Sequence, residues 1–136
     1  MLPSRVTRWA LLAGIAGPII SWALSFVVIA GWPGYDPIAE SISLLADAPL
    51  GDLQTLAFAI SGVLGAAFAI GLARVLGTTD GDRARVRGLL FVLAALAFGF
   101  AVFPTDAHGR GLTTIGKIHL AIFYAYAIAM PVTLLM

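Results

Sequence analysis

The chain has 136 residues, 60% hydrophobic and 11% charged, with a mean hydropathy of +0.99. A water-soluble domain carries about a quarter charged residues, so this composition excludes an ordinary soluble globule and leaves a bilayer as the solvent. Cysteine is absent, which excludes disulfides, thiolate metal sites and a cysteine nucleophile, while a net charge of +1 points to no particular partner.

Charges divide the chain into four apolar runs, and a helix needs roughly 20 such residues to cross the hydrocarbon core. The first, about 9–31, follows Arg5 and Arg8 and is uncharged until Asp36. A cleaved signal peptide is the rival reading, but the run is longer than a usual signal core and no small-x-small cleavage site follows it. It is read as a retained helix. The second run spans about 53–76, the third about 88–104 and the fourth about 116–136. The expected fold is all-α: one integral membrane domain, a four-helix bundle of up-down topology. Ala57, Ser61, Gly65, Ala69 and Ala73 form a small-residue stripe on the second helix, and Ala121, Ala125 and Ala129 another on the fourth. Small residues let helix backbones approach closely in lipid. The chain stops at Leu134-Leu135-Met136 without a polar tail, which reads as a chain missing further C-terminal sequence.

Orientation follows from arginine placement. Arg5 and Arg8 precede the first helix, and Arg74, Arg83, Arg85 and Arg87 surround the second connection. The first and third connections hold only Arg110 and Lys117. The positive-inside bias puts the N-terminus and the Thr78–Arg87 loop in the cytoplasm. Loops 32–52 and 104–118 then face outward.

In the first outer loop, Asp36-Pro37 is a helix start and Pro49 with Gly51 a stop. A short amphipathic helix over about 36–48 is expected, with Ile38, Ile42 and Leu45 on its apolar face and Asp36, Glu40, Ser43 and Asp47 on its polar one. In the second outer loop, Thr113 or Thr114 is placed to cap the fourth helix, and Asp52 to cap the second. His119 lies one turn inside the fourth helix, where an ionisable group is costly unless paired. Trp32-Pro33-Gly34-Tyr35-Asp36 echoes Phe103-Pro104-Thr105-Asp106, which suggests two hairpin repeats with Asp36 and Asp106 at one end.

Tyr35-Asp36-Pro37-Ile38, with Ile42, Ser43 and Leu45 behind it, then Phe103-Pro104, Asp106, Gly116 and His119, resembles bacterial membrane proteins of domain-of-unknown-function family 998. The resemblance covers the whole chain. It implies a multi-pass helical fold, commonly with about six spans. It carries over no activity, and it implies that Asp36, Ser43, Asp106 and His119 are motif positions.

Three functions compete. The first is ligand or ion binding at the outer face by Asp36, Glu40, Ser43, Asp106 and His119, with a cation or lipid head group as ligand. The second is a metal-dependent membrane hydrolase acting on lipid-like substrates. Asp36, Asp106, His108 and His119 are candidate ligands for zinc or a similar divalent ion, and His119, Asp106 and Ser43 are the catalytic candidates. Ser43 would supply a hydroxyl with His119 as base. No HExxH and no GxSxG fixes such a site. The third is an accessory or structural subunit, as a homo-oligomer or beside a partner membrane chain. In that reading Asp36 caps a helix and His119 donates to a loop carbonyl or to Asp106. Nucleic acid is set aside as a partner, because the few basic residues are explained by orientation and by the lipid bilayer.

Overall fold

In lipid an unbonded peptide group has no water to turn to, so a long apolar run must bond its own backbone, and the helix does so within one segment. The computed structural model describes residues 3–76, 79–107 and 111–134, and each apolar run in it is helical. The helices are α1 (Arg5–Ala30), α2 (Gly51–Leu76), α3 (Asp80–Val102) and α4 (Thr114–Leu134), with a short 3-10 helix, Ile42–Asp47, between α1 and α2. No strand occurs among the described residues. All four α-helices are long and apolar enough to cross a membrane.

The distribution of side chains is that of a protein dissolved in lipid. Trp9, Ile15, Ile19, Phe26 and Ile128 all point outward and are more than half exposed, whereas the buried apolar set is mostly alanine. A water-soluble bundle would place its large side chains the other way round. The chain is therefore an all-α four-helix bundle of membrane type.

Helix ends follow local chemistry. Ser4 Oγ accepts the Thr7 N–H at 3.2 Å and starts α1. Helix α3 begins at Asp80, well before its apolar run, because Thr79 and Asp82 form a reciprocal capping box. The arginine-rich stretch is thus helical, and Arg83 pairs with Asp80 at 3.6 Å across one exposed turn. Asp52 falls in the first turn of α2, behind Gly51, and not at the cap position.

Helix α2 is the centre of the bundle, with α1 on one side and α3 on the other. Its small-residue stripe is packed as the sequence suggests: Ala57, Ala69 and Ala73 are buried. Two glycines set the closest approaches. A methyl group on Gly71 would come within 3.0 Å of the Leu11 backbone nitrogen, and one on Gly62 within 2.9 Å of the Ala94 carbonyl oxygen. The stripe on α4 does not pack: Ala121 and Ala125 are exposed. Helix α4 leans on α3 and forms no comparable interface with α1 or α2.

Candidate ligand-binding cavity

The two loops at the α1–α2 and α3–α4 ends build the rim of the site. Asp36 Oδ1 accepts the N–H groups of Ile38 at 2.9 Å and Ala39 at 3.2 Å, and Glu40 Oε2 accepts the Asp36 N–H at 3.0 Å. The two carboxylates are spent closing one turn. That turn does not propagate, because Ser41 is extended (φ −74°, ψ 145°), and the loop helix resumes only at Ile42. The amphipathic segment is present but shorter than 36–48. Its anchor is Leu44 and Leu45, both buried, while Ile38 is 96% exposed. Beside the turn, Tyr35 stacks on Trp32 with ring centroids 5.8 Å apart. Partial burial, then the charges of Glu40 and Asp36, push its hydroxyl above the usual tyrosine range.

The second loop is tied to α4. Asp106 accepts the Thr113 hydroxyl at 2.6 Å and the Thr113 N–H at 2.9 Å. These bonds hold its carboxyl below the usual carboxylate range against a smaller opposing effect of burial, the hydroxyl bond contributing most. Thr113 Oγ1 in turn accepts the Gly116 N–H at 3.1 Å and caps α4, as the sequence suggests. A methyl group on residue 116 would overlap the Asp106 carboxylate, so a side chain there would displace that carboxylate from its Thr113 bonds.

His119 is 6% exposed. Its Nδ1 lies 2.7 Å from the carbonyl oxygen of Phe103, the residue that ends α3. A carbonyl can only accept, so Nδ1 carries the hydrogen and the bond satisfies a helix-terminal oxygen. In the neutral ring Nε2 is then a bare acceptor. It has no hydrogen bond to any described residue, yet no buried polar side-chain atom among the described residues lacks a partner. Nε2 is therefore not sealed in, and His119 lines a cavity of about 500 Å³.

That cavity lies at the end of the bundle where α1 ends and α2 begins. A band of hydroxyls and one amide runs along its α1–α2 wall. Ser21 Oγ donates to the Ala57 carbonyl at 3.0 Å and sits 2.7 Å from Ser61 Oγ, so Ser61 supplies the proton of the second bond. Ser25 Oγ lies 3.0 Å from the Ser21 carbonyl and 2.8 Å from the Gln54 amide. One proton cannot serve both. If Ser25 donates to Ser21, Gln54 turns its NH₂ to Ser25 and leaves its oxygen free; otherwise the NH₂ is free. In either case one end of this amide, in a residue 1% exposed, is left for the cavity. The opposite wall is aromatic. Phe100 is its hub, with centroids 5.1 Å from His119, 5.5 Å from Phe58 and 5.9 Å from Tyr126. A second cavity of about 330 Å³ continues toward the other end of the bundle and shares Ser21, Trp22, Ser61, Ala97 and Tyr126 with the first. Together they form one slot between α1 and α4. Volumes of this order suit a small amphiphile.

Of the residues singled out from sequence, the structure brings Ser43 and His119 to the same cavity. No hydrogen bond joins them; Ser43 Oγ instead lies 3.1 Å from Ser41 Oγ at the rim. Asp36 and Glu40 close their own turn, and Asp106 closes the second loop. His108 lies outside the described residues. Among the described residues no group of three or more histidines and carboxylates comes together that could hold a metal ion. Gln54, Ser21 and Ser25 escaped the sequence reading, which looked for charge, and Ser61 was read only as a packing residue. Their signal was available: Ser21 and Ser25 are one turn apart, Gln54 and Ser61 two turns apart, each pair on one face of an apolar helix.

An all-helical bundle of membrane type, with a partly polar cavity at one end, is the class of protein that this geometry defines. Within it, the chain belongs to the family described as "Protein of unknown function (DUF998)", whose model matches residues 15–136. No curated protein and no solved structure matches it.

Proposed function

We propose that this is a multi-pass membrane protein that binds a bilayer-borne amphiphile in the slot between α1 and α4. The polar head would sit at His119 and Gln54 and the chain along the second cavity. The observation that carries this reading is His119: a buried imidazole fixed through Nδ1, with Nε2 unpartnered on a cavity. A histidine that only tied the loop to α4 would also donate through Nδ1, so the reading rests on Nε2, which has no partner among the described residues in a side chain that lines the cavity. About 18 Å of helix axis separates Ala13 from Ser25, enough for an extended alkyl chain beside the head. The arginine distribution supports a cytoplasmic N-terminus in a bacterial cell membrane, which puts the head-group end of the slot at the outer face.

Trp22 lines both cavities and serves as the reporter. In protein carrying Trp9→Phe and Trp32→Phe, titration with dibromostearyl alcohol in nanodiscs is expected to quench Trp22 saturably. Ala97→Phe, which fills the shared neck of the two cavities, is expected to abolish the saturable part. Trp22 is 53% exposed, so contact with bulk lipid gives a linear background. Quenching that stays linear and equal in both proteins would overturn the proposal.

A further inference from the structure

We infer that the head group recognised in this slot is an uncharged aromatic ring carrying a hydroxyl, as in lipids of the phenol or quinol class. The inference rests on the amphiphile reading above and specifies its head group. Three features of the cavity narrow the chemistry.

The first is charge. Among the described residues, none that lines either cavity is an aspartate, glutamate, lysine or arginine. A phosphate, carboxylate or ammonium head would meet no counter-charge from these lining residues, at a large desolvation cost. Phospholipids and fatty acids are therefore poor occupants, and an uncharged head fits. The second is the direction of the hydrogen bonds. The Phe103 carbonyl fixes the proton of neutral His119 on Nδ1, so Nε2 accepts and asks its ligand for a donor. A hydroxyl supplies one. Its oxygen, or a second oxygen across the ring, can be met by the free end of the Gln54 amide, which offers a donor or an acceptor according to how it is turned. An ester or ether head brings no donor and leaves Nε2 unmet.

The third is shape. Phe58, Phe100, His119 and Tyr126 form a connected set of rings about Phe100, meeting at interplanar angles of 44° to 63°. Phe123 lines the same cavity. A flat ring gains offset or edge-to-face contacts among such neighbours, which a linear alcohol cannot make. A cavity of about 500 Å³ is also wider than a bare alkyl chain needs.

The test is displacement of dibromostearyl alcohol from the Trp22-only protein, read as recovery of Trp22 fluorescence. Three competitors of matched chain are compared: 4-dodecylphenol, 4-dodecylanisole and 1-dodecanol. The phenol has ring and donor, the anisole only the ring, and the alcohol only the donor. The phenol is expected to act at about tenfold lower concentration than either of the others, the size of one hydrogen bond or one good ring contact. In His119→Asn, whose side-chain amide can still donate to the Phe103 carbonyl, the phenol is expected to lose its margin over the anisole. Equal potency of phenol and dodecanol would overturn the ring, and equal potency of phenol and anisole would overturn the donor. Either result leaves amphiphile binding standing. A probe that never binds saturably removes the binding reading and this inference with it. The three-way comparison in the parent protein decides the matter even if His119→Asn does not fold.

Discussion

The contact between α2 and α3 at Gly62 gives the sharpest test of the packing. An alanine methyl there would lie 2.5 Å from Phe98 Cβ and 2.9 Å from both Phe98 Cα and the Ala94 carbonyl oxygen. Carbon atoms rest comfortably at about 3.5–4.0 Å, so α3 would have to retreat by roughly 1 Å. A gap of that size forfeits up to about half of each neighbouring dispersion contact. Overpacking of this kind costs about 1–3 kcal/mol. Against it stands a gain of about 1 kcal/mol, because alanine favours helix over glycine. The expected net loss for Gly62→Ala is about 0–2 kcal/mol. Gly65, one turn on along the same helix, is the control: a methyl there meets Ala94 Cβ at 3.4 Å and nothing closer. Gly65→Ala is expected to be neutral or slightly stabilising. Reversible unfolding in mixed SDS micelles, followed by far-UV circular dichroism, measures both. If Gly62→Ala proved as stable as Gly65→Ala, the α2–α3 approach described here would be wrong.

Three further outcomes are expected. Thr113→Val removes the hydroxyl that most lowers the Asp106 carboxyl, so Asp106 should titrate closer to the usual carboxylate range, read by carbonyl NMR chemical shift. The sign follows: a carboxyl lowered by folding stabilises the fold above its unfolded pKa, and that contribution fades as pH falls through the lowered value. The wild-type loop should therefore stay tied to a lower pH than the Thr113→Val loop, as measured by amide exchange at residue 113. Gln54→Leu should change stability by less than about 1 kcal/mol, since interhelical hydrogen bonds in lipid average about 0.6 kcal/mol. Ser25 keeps the Ser21 carbonyl as a partner in that variant. Saturable quenching of Trp22 should nonetheless weaken, and a loss of more than about 3 kcal/mol in unfolding would instead make Gln54 a structural residue. Thr79→Ala breaks the capping box of α3 and should cost about 1 kcal/mol in the same unfolding assay, with faster exchange at the Asp82 amide.

The four helices were legible in the sequence because an uncharged run of this length has one low-energy form in lipid. Their ends were less so. Charge marks the edge of the hydrocarbon, whereas a helix ends where capping ends it, and the Thr79–Asp82 box carries α3 out through Asp80–Arg87. The loop helix was read from Asp36-Pro37 as a start signal, but Asp36 and Glu40 satisfy each other within one turn and leave nothing to propagate. His119 was found from its burial cost, and its partner proved to be the Phe103 carbonyl, one of the acceptors the sequence allowed. The wall of serines with Gln54 was not found, since uncharged polar residues in an apolar helix carry a weak pattern and gain meaning only when α1 and α2 face each other. The aromatic hub at Phe100 needed three helices in place before it existed.

Helix α4 packs chiefly on α3, yet it supplies His119, Phe123 and Tyr126 to the slot. The three preceding helices interlock through Gly71, Gly62 and the Ser21–Ser61 pair without any help from it. Separation of α4 from α1 thus breaks little that holds the bundle together. On the proposed function, the wall that would recognise a guest is also the wall that is cheapest to move, and it would face the bilayer. Entry and exit would then run sideways, with no passage through water and little cost to the folded core.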